Sequence, residues 1–197
     1  MLQEEQSLNL YSYVYNSSTY TYDIRGNSVK YLSSYKLKKV SRRSLGNKLG
    51  AGEYELPKFE IVNYPGCCYI KLKGSYSYTI KMTQEQEEYQ RHGTSYDFVL
   101  KHEIKHFHDF KSVWNEYIKL LLEKEGLNWG KCAPIQALLI AKRTEASTKF
   151  SYLNKKRDAQ DYRGDVKEQA IKELPILRKK YKEAHKNYEK IRKATNK

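Results

Sequence analysis

The stretch "VLKHEIKHFHDF", residues 99–110, decides how the middle of this 197-residue chain is read. Around it, Leu100, Ile104, Phe107, Trp114, Ile118 and Leu121 recur at spacings of three, four and seven. That pattern draws one apolar stripe down a helix running from about residue 96 to 124, which Gly126 should end. Lys101, Lys105, Ser112 and Lys119 make a polar strip on another side. His102 and His106 fall on a third strip beside Asp109 and Val113, and residues four apart project from the same face of a helix.

Two imidazoles carried by one rigid segment can reach a single metal ion, and neutral imidazole nitrogen is a preferred zinc ligand at about 2.0–2.1 Å. Glu103 lies about 100° round the helix from His102, where its carboxylate can reach water on such an ion without displacing it. The pattern His102-Glu103-x-x-His106 resembles the HExxH motif of the zincin metallopeptidases. The resemblance implies that His102 and His106 are ligands of one Zn(2+) per chain and that Glu103 is the catalytic base. It also implies hydrolysis of amide bonds in a peptide or protein substrate.

A catalytic zinc needs a third protein ligand and an open position. The longer zincin motif with a glycine and a third histidine is absent, since Phe107, Asp109 and Phe110 follow His106. Glutamate-zincins, which this chain then resembles more, take the third ligand from the next helix. That points to Glu145 in "AKRTEASTKFSYL", flanked by small Ala146 and Ser147. Asp109 stands seven residues from His102, about 10 Å along a straight helix. Asp161 and Asp165 are the next candidates, and Tyr152, Tyr162 and His108 could stabilise an oxyanion.

The expected fold class is α+β, one zincin-like domain over residues 1–197, with a mainly β part over 1–85. The HExxH helix and a supporting helix occupy 86–165, and a basic C-terminal helix occupies 166–197. Tyrosines 11, 13, 15, 20 and 22 alternate with polar residues across an Asn16-Ser17-Ser18 turn, the period-two signal of a hairpin. A second set of strands follows in "FEIVNYPGCCYIKLKGSYSYTIKM", giving a twisted antiparallel sheet. The strand over 76–82 is expected nearest the HExxH helix, where it would align an extended substrate. The basic, glycine-bearing segment over 36–57 reads as a mobile surface loop. The second helix should span 134 to about 155, Asp161-Tyr-Arg-Gly164 should break it, and the last helix should start near Pro175.

The order "YDIRGNSVKYL", then "YSYTIKM", then "FVLKHEIKHFHDF" resembles the bacterial secreted or periplasmic zinc-dependent protease family known as domain of unknown function 922. That likeness covers residues 20 to 165 and implies export. The histidine-glycine motif expected near Asp165 is missing. The start "MLQEEQS" lacks the basic and apolar regions of a secretion signal, so a cytoplasmic location is the alternative.

Lysine and arginine outnumber aspartate and glutamate 37 to 23, a formal net charge of +14. Such a field attracts anionic surfaces and polymers, nucleic acid included. The second functional reading is therefore a non-enzymatic basic protein that binds a polyanion or acidic partner. Nineteen tyrosines against five phenylalanines mean that tyrosine carries much of the apolar packing, with base stacking as the alternative role. No run reaches the roughly 18 apolar residues of a membrane span. Cys67, Cys68 and Cys132 have no CxxC spacing and point to buried thiols, with a bridge from Cys67 or Cys68 to Cys132 as the alternative in an oxidising compartment.

Overall fold

A computed structural model describes residues 21–22, 29–46 and 48–195. It is α+β, as the sequence implies. The tyrosine hairpin around Asn16-Ser17-Ser18 lies outside the described residues. Strands β1 (Thr21–Tyr22) and β2 (Val29–Lys30) form a short antiparallel pair.

The segment over 36–57, expected as a loop, instead supplies two strands and a turn of 3-10 helix at Arg42–Leu45. Strand β3 (Lys36–Val40) runs parallel to β7 (Ser77–Thr83), and β4 (Gly50–Glu55) runs antiparallel to it. The expected antiparallel sheet is thus mixed, with order β3-β7-β4, and a separate hairpin joins β5 (Lys58–Tyr64) to β6 (Cys67–Lys73). The segment was misread because β3 and β4 are edge strands: most of their side chains face water, so they lack the apolar signal of central strands. Central β7 buries Tyr78, Ile80 and Met82 on one face.

Arg42 organises the connection into β4. Its backbone N–H donates to the Glu85 carboxylate at 2.9 Å, and its guanidinium donates to the carbonyl oxygens of Gly46 and Lys48. Helix α1 (Gln86–Arg91) follows β7, and Tyr89 pins it by donating to the carbonyl of Thr83 at 2.9 Å.

Helix α2 (Tyr96–Lys124) has the predicted bounds, opened by Ser95, whose hydroxyl accepts the Phe98 N–H at 3.1 Å. Gly126, at φ 72°, turns the chain out of it. Phe107, Trp114, Ile118 and Leu121 are buried as the stripe requires. Phe110, Val113 and Tyr117 are buried as well, because α2 is covered on two sides, by the sheet and by α3 (Cys132–Asp161). Tyr54 and Tyr78 from the sheet and Phe150 from α3 close around Phe110, with ring centroids 4.8, 4.8 and 5.3 Å away. Burial of a side chain of that size contributes about 1.5–3 kcal/mol.

Helix α3 runs antiparallel to α2 and reaches six residues past its expected end. The break falls at Tyr162 and Arg163, and α4 (Gly164–Thr195) folds back along α3. The last helix therefore begins eleven residues before Pro175 rather than at it. The proline is tolerated because Pro175 and Ile171, whose carbonyl loses its helical partner, both lie on the water-facing side.

Cys68 and Cys132 form a disulfide, which corrects the expectation of buried thiols; Cys67 is free. The bridge fastens β6 to the start of α3, where the connecting loop also docks, Trp129 N–H donating to the Cys68 carbonyl at 2.9 Å and Gly126 N–H to that of Ile70 at 3.2 Å. Among the described residues no helix is long and apolar enough to cross a membrane.

The disulfide closes a separation of 64 residues. Reducing it should lower the unfolding free energy by about 2–4 kcal/mol in denaturant titrations run with and without dithiothreitol. Identical midpoints would mean that the bridge contributes nothing.

Candidate metal centre

His102 and His106 sit where α2 crosses the C-terminal half of α3, and they are 2% and 9% exposed. On α3, Asn154, Asp158 and Asp161 are spaced four and three apart and so face the histidines together. His102 Nδ1 is 3.0 Å from Asp161 Oδ2, and His106 Nδ1 is 2.9 Å from Asn154 Oδ1. Both partners are acceptors, so each Nδ1 carries the ring proton and each Nε2 presents a lone pair.

Those lone pairs converge. The two Nε2 atoms are 2.8 Å apart, and Asp158 Oδ1 is 3.4 Å from each. With both rings neutral, three acceptors meet there, an arrangement resolved either by a proton on one Nε2 or by a metal ion that displaces it. A tetrahedral zinc with bonds of about 2.0–2.1 Å holds its ligands about 3.3–3.4 Å apart. Both distances to Asp158 match that value, and the two imidazoles need only a small separation to reach it. Among the described residues His102, His106 and Asp158 form the one group of three whose ligand atoms lie close enough to share an ion. His102, His106 and Asp158 could therefore hold one metal ion, and two imidazoles with a carboxylate are a ligand set compatible with zinc.

The support around these ligands is built in. Lys105 Nζ lies 2.8 Å from both oxygens of Asp161 and so holds the carboxylate that orients His102. Lys155 lies 3.9 Å from Asp158 Oδ2 and 3.1 Å from Glu173 on α4, linking the ligand helix to its neighbour. Burial alone would depress the pKa of His102, but its hydrogen bonds to Asp158 and Asp161 outweigh that and hold it above the ordinary value. Burial likewise acts to raise Asp158, yet the two imidazoles hold it well below the usual carboxylate range.

Glu103 is 6% exposed, and its carboxylate has no hydrogen-bonding partner among the described residues. Burial pushes its pKa up against the opposing pull of His106, His102 and Lys48. The helix approaches the sheet closely here. A Cβ on Gly50 would come within 2.9 Å of Val99, 3.0 Å of Met82 and 3.1 Å of Glu103 Cγ, and one on Gly52 would overlap the Tyr78 hydroxyl. Gly50-Ala51-Gly52 is the strand that can lie against the HExxH turn for this reason. Beside it opens a cleft of about 1110 Å³ whose lining includes Glu103, both histidines and Asp158.

Two expectations for the site are corrected. Glu145 does not join it: thirteen residues before Asp158 on the same helix, it stands about 20 Å away along the axis. Its buried carboxylate binds Lys142 at 2.8 Å and His185 at 2.5 Å. The strand that abuts the HExxH turn most closely is β4 rather than the one over 76–82, which lies in the middle of its sheet and packs Tyr78 on Phe107 and Phe110 of the same helix. Of the other ligand candidates, Asp109 pairs with Arg157 at 2.8 Å, Asp161 supports His102 from behind, and Asp165 is exposed in the first turn of α4.

Tyr162 packs its ring 4.6 Å from that of His102 and lines the cleft, and burial pushes its hydroxyl up to about 12, so it is a neutral donor. Tyr152 instead stacks on Tyr181, and His108 is exposed beside Phe107. Sequence reasoning misses Asp158 because the helix is expected to end near residue 155, and misses Asn154 because its place on the same face as Asp158 and Asp161 shows only when the helix runs on to Asp161. Their spacing to Asp161 on one helical face is the signal that could have found them. Comparison with protein-family models, curated proteins and solved structures returns no match.

Metal binding here must displace protons, and the raised pKa of His102 sets the sign. Zinc affinity measured by competition with a chromophoric chelator should be full in mildly alkaline buffer and fall as pH drops through a range that begins above the ordinary histidine value near 6.5. Asp158→Ala should weaken it by about 100-fold or more, while Glu145→Gln leaves it unchanged. The reverse pattern would transfer the third position to Glu145.

Proposed function

We propose that the chain is a zinc-dependent hydrolase of peptide bonds, built on the zincin plan with His102, His106 and Asp158 as ligands and Glu103 as general base. The observation that carries this reading is the convergence of two imidazole Nε2 atoms and a carboxylate oxygen beside the buried carboxylate of Glu103 in an open cleft. With both Nδ1 atoms engaged by Asp161 and Asn154, each Nε2 is turned to the meeting point, where a metal ion would replace the proton that otherwise joins the rings.

Zinc held by these three residues would act as a Lewis acid toward water and toward the scissile carbonyl. Glu103 accepts the proton of the attacking water, its burial having raised its affinity for protons toward the working pH, and passes that proton to the departing amine. Tyr162, protonated at any physiological pH, is placed to donate to the oxyanion of the tetrahedral species. Strand β4 pairs only with β7 among the described residues, so its other edge can take an extended peptide as an added strand across the cleft.

The Cys68–Cys132 disulfide supports an oxidising location, in keeping with a secreted or periplasmic protein. A second reading, polyanion binding without catalysis, rests on the exposed lysines of α4, among them Lys179, Lys180, Lys182 and Lys186. The two readings differ in what a chelator does.

Zinc-loaded protein should cleave a mixed peptide substrate, and chelation should abolish the cleavage. Glu103→Gln should retain about one zinc per chain and lose 10²–10⁴-fold in kcat. Tyr162→Phe should lower kcat with little change in KM. Undiminished hydrolysis by Glu103→Gln would remove this mechanism. Salt-dependent binding of polyanions that ignores chelators, with no cleavage, would favour the second reading.

A further inference from the structure

The cleft is chemically unequal along its length, and the zinc ligands divide it. Toward the C-terminal end of β4 its wall is aromatic: Tyr54, Tyr78 and Phe150 surround Phe110, and Asn154 marks the level of His106. Toward the first turn of α2 it is basic. Lys48 enters two residues before Gly50, which abuts Val99 and Glu103, and Arg163 follows Tyr162, whose ring packs on both His102 and Phe98.

Of the three lysine and arginine side chains in the lining, these two are without an ion pair among the described residues, with the Glu103 carboxylate as the nearest opposing charge to Lys48. Asp158 faces the ion position and Lys155, and Asp161 is taken by Lys105 and His102. Lys155 itself is engaged by Glu173. Lys48 and Arg163 form no ion pair among the described residues, and both are exposed. Among the described residues, no carboxylate other than those of Glu103, Asp158 and Asp161 lines the cleft.

We propose that Lys48 and Arg163 make this a peptidase selective for acidic residues immediately C-terminal to the scissile bond. The proposal rests on the hydrolase reading above. Its direction follows from strand pairing. An added strand pairs somewhat better antiparallel than parallel to β4. Antiparallel, the substrate's residues after the scissile bond run back toward Lys48, and those before it run toward Tyr54. At about 3.4 Å per residue, Lys48 lies two residues beyond Gly50, so the reach is to the first two or three positions after the cut. Two partly exposed ion pairs of this kind correspond to about tenfold discrimination, weakened by salt.

A peptide library cut by the zinc-loaded protein and read by mass spectrometry should show Glu and Asp enriched at those positions. Lys48→Glu and Arg163→Glu, both at exposed positions and checked for an unchanged melting curve, should together invert the enrichment toward Lys and Arg. Binding gives an independent readout. On the Glu103→Gln background, fluorescence anisotropy should give about tenfold tighter binding for a Glu-Glu decapeptide than for its Lys-Lys counterpart, with the order reversed by the double charge reversal. Cleavage with no acidic preference, with a preference that survives charge reversal, or with acids enriched before the cut would overturn the proposal. Absence of any cleavage alongside the charge-dependent binding would overturn the hydrolase reading and leave acidic-peptide recognition standing. Absence of both would overturn the two together.

Discussion

The proposed function depends on one electrostatic constraint, the meeting of two imidazole Nε2 atoms and a carboxylate oxygen where α2 and α3 cross. Left alone, three acceptors at such distances repel one another in a largely buried place. The fold nevertheless spends several groups on enforcing that meeting. Asp161 and Asn154 fix the ring tautomers, and Lys105 and Lys155 restrain the two aspartates. Residues that only filled a core would not need so much polar support.

The rest of the architecture can be understood as positioning these two helices. Phe107 and Phe110 on α2 meet Tyr54 and Tyr78 from the sheet and Phe150 from α3, so one aromatic cluster sets the spacing of all three layers. The glycines of β4 let this strand, at the edge of its sheet among the described residues, touch the HExxH turn. The disulfide ties the distal end of α3 to the β5–β6 hairpin, far from the two histidines, and α4 packs along α3.

Much of this was legible in the sequence, because a long apolar stripe has only one helical solution. The bounds of α2, the pair His102 and His106, and the break at Asp161-Tyr-Arg-Gly164 all come from local pattern. The errors arose where tertiary contacts override that pattern. Strands β3 and β4 look like loop because edge strands show water their side chains. Glu145 was attractive for its small neighbours, yet its burial serves a salt bridge with Lys142 and His185. Asp158 was hidden by a helix that continues through a polar stretch, "NKKRDAQD", whose charges are satisfied by α2 and α4 rather than by water alone. The pairing of Cys68 with Cys132 depends on a loop docking on β6, which no spacing rule encodes.

The most direct measurement is a crystal structure of the zinc-treated protein with anomalous scattering recorded on both sides of the zinc absorption edge. The account predicts one strong anomalous peak per chain, bonded to Nε2 of His102, Nε2 of His106 and a carboxylate oxygen of Asp158, with a fourth position facing the cleft beside Glu103. No peak between the two histidines, or an ion closed in by four protein ligands with no position left for water, would contradict it.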